Sequence, residues 1–130
     1  MSDYTISVRV ERGYEAAVEE VRSALSDQGF GILTEIDLSG TLKEKIDVDV
    51  PRQVILGACR PPLAYEAITA EPAIATVLPC NVLVREVGEG ASQVEAFDPH
   101  VMTQISSSDA LQKVADDARE RLQAAIAALA

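Results

Sequence analysis

Apolar and polar residues alternate along Tyr4-Thr5-Ile6-Ser7-Val8-Arg9-Val10, the period of a strand with one buried face, which points Tyr4, Ile6, Val8 and Val10 toward a core. Beyond Gly13 the period lengthens. Tyr14, Val18, Val21 and Leu25 recur at helical spacing with Ala17 and Ala24 beside them, and Glu15, Glu19, Glu20 and Arg22 fall elsewhere. Gly29 suits the left-handed turn past a helix end. Phe30 to Asp37 then reads as a second strand.

Residues 39–46 predict a short helix capped by Ser39 or Thr41, followed by an irregular segment closed by Pro51. Gln53-Val54-Ile55-Leu56-Gly57-Ala58-Cys59 is a compact apolar run fit for a buried central strand. Pro61-Pro62 opens a helix through Ile68, interrupted at Glu71-Pro72, with a further helical turn or two from Ala73 to Leu78. Pro79 to Val87 and Ser92 to Phe97, joined by Gly88-Glu89-Gly90-Ala91, form a hairpin. Asp98-Pro99 starts a short helix with Val101, Met102 and Ile105 on its apolar side. Ser106-Ser107-Ser108-Asp109 breaks that helix and caps the last one. There Leu111, Val114, Ala115, Ala118, Leu122, Ala125, Ile126 and Leu129 make one continuous stripe.

This order predicts a single α+β domain over residues 1–130: two layers, a mixed or mostly antiparallel sheet of about five strands, and helices on one face. The other sheet face would carry Thr5, Ser7 and Arg9, and if it is large and incompletely polar a second copy of the chain is the usual cover. At 130 residues and 48% hydrophobic, the chain is long enough for a real core. Its net charge of -10 repels phosphate backbones, so nucleic acid is not an expected partner. No stretch approaches the ~20 apolar residues of a membrane span. The acidic opening Met1-Ser2-Asp3 lacks the basic region of a signal peptide, and two cysteines make no disulfide scaffold. A cytoplasmic protein with reduced thiols is expected.

Several ordered pieces share a pattern: Gly29-Phe30-Gly31-Ile32-Leu33-Thr34-Glu35-Ile36-Asp37, Thr41-Leu42-Lys43-Glu44-Lys45, Ile55-Leu56-Gly57-Ala58-Cys59 with Pro61-Pro62-Leu63-Ala64, and Leu78-Pro79-Cys80-Asn81-Val82. In this the chain resembles the domain-of-unknown-function family 302, a small bacterial and archaeal domain. The first and last helices also sit where that family has helices. The resemblance implies an α+β fold, a dimer, and no settled biochemical activity.

One corner could carry chemistry. Cys59 ends a strand just before the helix that starts near Pro61, where free backbone N–H groups and the helix dipole favour an anion or a thiolate, and Arg60 would add positive charge. The plainer reading makes Cys59 a small apolar plug. Cys80 opens the next strand, and the two sulfurs meet only if the chain doubles back to the same end of the sheet. His100 could act as a base or a third metal ligand, although a surface histidine in a first helical turn is commoner. The paired carboxylates Glu35 and Asp37 read more simply as solvated charges, and Ser106 to Ser108 as capping material.

Two functions compete. The favoured one is a homodimeric binding or interaction module, not an enzyme, with a small anionic ligand at Cys59, Arg60, Pro61, Pro62 and Cys80. The other is a thiol-dependent redox or metal-binding protein using Cys59 and Cys80, with His100 assisting. No cofactor and no bound metal are expected.

Overall fold

A computed structural model describes residues 3–130. Five strands, β1 (Thr5–Val10), β2 (Gly31–Asp37), β3 (Gln53–Cys59), β4 (Cys80–Gly88) and β5 (Ala91–Phe97), form one sheet in the order β1-β5-β4-β3-β2. Every pairing is antiparallel, so the sheet is not mixed. Five α-helices accompany it: α1 (Tyr14–Asp27), α2 (Leu38–Ile46), α3 (Pro61–Ala70), α4 (Met102–Ile105) and α5 (Asp109–Ala127). Short 3-10 turns span Pro72–Val77 and Pro99–Val101. This is an α+β fold.

Strand alternation sorts the sheet into two faces. One presents Val54, Leu56, Ala58, Val82, Val84, Val94 and Ala96, all buried, to Ala17, Val21 and Leu25 of α1 and Leu122, Ala125 and Ile126 of α5. Each fully buried Leu or Val in such a layer contributes roughly 1.5–3 kcal/mol of apolar burial. Every residue of the stripe read from Leu111 to Leu129 is buried. Its upper half packs instead with Leu63 and Ala67 of α3, Ile74 and Met102 in a second cluster.

The opposite face carries Thr5, Ser7 and Arg9 of β1, as the alternation predicts. Across the register it continues through Gln93, Glu95 and Phe97, then Asn81, Leu83 and Arg85, then Gln53 and Ile55, and ends at Thr34 and Ile36. Tyr4, Thr5, Leu38, Ile55, Leu83 and Phe97 help line a groove of about 340 Å³ there. Tyr4 is 57% exposed, so it leaves the core that the alternation assigned to it; β1 begins at Thr5, and Tyr4 lies on the open side.

The local stops follow from residue chemistry. Gly29 adopts φ 83° just beyond α1, and Phe30 N–H donates back to the Leu25 carbonyl. The cap of α2 is Asp37, not Ser39 or Thr41: its carboxylate accepts from Gly40 N–H at 3.0 Å. Ser39 Oγ instead accepts from Gln53 N–H at 3.1 Å, tying α2 to β3. Ser108 caps α5 as expected, accepting from Leu111 N–H.

Candidate functional site

The antiparallel register decides what the sequence left open. Ala58 pairs with Cys80 across β3 and β4, and Gly31 pairs with Cys59 across β2 and β3. The end of β3, the start of β4 and the turn before β2 therefore share one end of the sheet. Helix α3 and the 3-10 turn after it carry the chain out and back to that same end, with Leu78-Pro79 leading into β4. Cys59 and Cys80 consequently line one cavity of about 30 Å³, with Phe30, Leu63, Met102, Val114 and Ala118 among its walls. That volume holds roughly two water molecules.

The thiols are not activated. Both are free. Burial pushes the Cys59 thiol up, and burial with the neighbouring Cys59 pushes Cys80 up to about 11. The expected source of thiolate stabilisation is missing at the start of α3. Pro61 and Pro62 have no N–H, and the N–H groups of Leu63 and Ala64 both donate to the Arg60 carbonyl, at 3.0 and 3.1 Å. With its first turn closed this way, the helix offers no backbone donor to an anion or a sulfur, so desolvation decides the thiol pKa. Pro61 and Pro62 shape the turn without lining the cavity.

Arg60 is the polar exception on the wall. Its Nε is enclosed and has no hydrogen-bond partner. Arg12 Nε and Glu20 Oε2 are also enclosed without a hydrogen bond, but these two form an ion pair with each other. Gly29 makes room for Arg60, because a Cβ at that glycine would stand 3.0 Å from Arg60 Nε. An enclosed donor with no partner typically costs about 1–3 kcal/mol, and more when it is charged.

The remaining candidates lie elsewhere. His100 sits on an exposed 3-10 turn with Nε2 3.5 Å from Asp116 Oδ1, and it does not line the cavity. It is brought neither to Cys80 as a base nor to the cysteines as a ligand. Among the described residues no three His, Cys, Asp or Glu side chains gather as a metal set. Glu35 pairs with Arg22, and Asp37 caps α2. Ser106 Oγ donates to Glu71. Sequence reasoning missed Phe30, Leu63, Met102, Val114 and Ala118 as cavity walls. Each reads as an ordinary core residue, and only Met102, the one methionine besides Met1, carried a chemical signal.

No curated protein matches the chain. Its fold is shared with a solved structure, described as the crystal structure of uncharacterized conserved protein DUF302 from Bacillus stearothermophilus. The two are 24% identical and superpose with a TM-score of 0.90 over 99% of this chain and 100% of the other. At that identity the likeness speaks to fold. Sequence goes further: the family model described as "Domain of unknown function DUF302" matches residues 6–129. With nearly the whole chain inside that match, this protein belongs to the DUF302 family.

Proposed function

We propose that this protein is a non-catalytic, homodimeric binding module that holds a small amphipathic anion beside Arg60, Cys59 and Cys80. The observation that carries the ligand reading is Arg60, the one charged residue lining an otherwise apolar cavity, whose enclosed Nε has no hydrogen-bond partner. A carboxylate with a short alkyl body meets both demands, since its oxygens pair with the guanidinium and its methyl groups cover apolar wall. The cavity admits only a few atoms, so the guest is no larger than a short-chain carboxylate and lies partly outside. Pairing of two chains is supported by the open sheet face. It exposes Ile36 and carries the partly buried Ile55, Leu83 and Phe97, and it bears two arginines, Arg9 and Arg85, against one strand carboxylate, Glu95, in a chain of net charge -10.

Titration with propionate, followed by amide NMR, tests the ligand. The expected result is saturable shifts confined to residues around Phe30, Cys59 to Leu63 and Met102, lost in Arg60→Leu. Shifts that stay linear with concentration, or that survive Arg60→Leu, overturn it. Sedimentation at micromolar concentration tests the pairing: twice the 13.9 kDa chain mass is expected, and a clean monomer ends that part of the reading.

A second reading, thiol-based redox chemistry, is favoured by one observation: both thiols face one cavity. Their raised pKa values weigh against it, because the thiolate is the reacting species.

A further inference from the structure

The cavity wall includes Cys59, Cys80 and Met102, which are all the sulfur-bearing side chains among the described residues. They come from three separate elements: the end of β3, the start of β4 and the start of α4. No hard oxygen donor shares the wall, since the other lining side chains are apolar apart from Arg60. Two thiols and a thioether form a soft donor set. Soft sulfur ligands suit Cu(I) and also Zn(II), but structural Zn(II) is almost always four-coordinate, and three sulfur-bearing residues fall one ligand short of that shell. The space also fits. About 30 Å³ accepts a bare ion.

We propose that Cys59, Cys80 and Met102 form a binding site for a single Cu(I) ion. Binding replaces both thiol protons by the metal: two Cys–SH groups and one Cu(I) give two Cu–S bonds, and two protons leave to solvent. No electron is transferred. The copper–dithiolate unit carries one negative charge, and Arg60, the one cation on the same wall, balances it. Because protons must leave, affinity rises with pH. The site does not rest on the carboxylate reading, and the two are separable by variant.

The test is an anaerobic titration of the reduced protein with Cu(I) in competition with bathocuproine disulfonate, with proton release measured alongside. The expected result is one Cu(I) per chain held against the chelator, two protons released for each, and an ultraviolet thiolate-to-copper band. Cys59→Ser and Cys80→Ser each lose the copper to the chelator, and Met102→Leu, which conserves volume, holds it more weakly. Arg60→Leu abolishes propionate binding and still takes up one copper. The proposal is overturned if the wild-type protein surrenders all its copper to the chelator, a result that needs no variant to fold. It is equally overturned if copper is retained in both serine variants, or if Zn(II) is bound as tightly as Cu(I).

Discussion

The two faces of the sheet are built from the same alternating strands and end in different states. On the covered face, Val82, Val84, Val94 and Leu56 are fully enclosed beneath α1 and α5. On the open face, their neighbours Ile55, Leu83 and Phe97 remain accessible beside α2, a nine-residue helix with no buried residue of its own. Helix α5, by contrast, buries seven residues of its nineteen. Helices shorter than about 12–15 residues are marginal in water on propensity alone. So α5 is held by packing, and α2 by its cap and its hydrogen bond to β3. The covered face stores the stability of the domain. The open face leaves Ile36 exposed and Ile55, Leu83 and Phe97 only partly buried.

The largest expected effect separates the faces directly. Leu122→Ala on α5 removes a fully buried side chain and should cost about 2–5 kcal/mol in urea unfolding. Leu83→Ala on the open face should cost well under half as much in dilute solution while lowering the sedimentation mass. Equal losses would erase the distinction.

Next comes an alkaline effect at the covered end of the sheet. The Cys80 thiol, raised from 9.0 to about 11 in the folded state, holds its proton more tightly than the unfolded chain does. Its contribution is therefore complete below pH 9.0 and is lost as pH rises toward about 11, by roughly 2–3 kcal/mol. Comparing wild type with Cys80→Ala across that window isolates it; parallel pH profiles would show that Cys80 is not desolvated as described. The smallest effect lies on the open side. Asp37→Ala should cost about 1 kcal/mol and speed amide exchange in α2 ahead of every other helix. Unchanged exchange in α2 would mean that the Asp37 cap is not what holds this helix.

The elements were legible because each carries its own period or punctuation. The helix ending before Gly29, the strand from Gln53 to Cys59, the hairpin and the Ser108 cap all rest on neighbours in sequence. The misreadings arose where a residue had equivalent local choices. Asp37, Ser39 and Thr41 are all competent caps, and geometry selected Asp37. Tyr4 continued the alternation of β1, but pairing began one residue later. At the candidate site, the cysteines and Arg60 stood out by residue type, whereas Met102, Val114 and Ala118 were hidden among ordinary core positions. His100 stood out as well and proved to face Asp116.

The order of patterns along the chain determined the fold class, because burial periodicity and turn chemistry act over a few residues. Which strand lies beside which, and hence that Cys59, Cys80 and Met102 meet at one end of the sheet, was decided only when the chain closed on itself. The same closure left Arg60 without a partner and turned the start of α3 inward on its own carbonyl. Those outcomes depend on where distant segments come to rest, which no local pattern encodes.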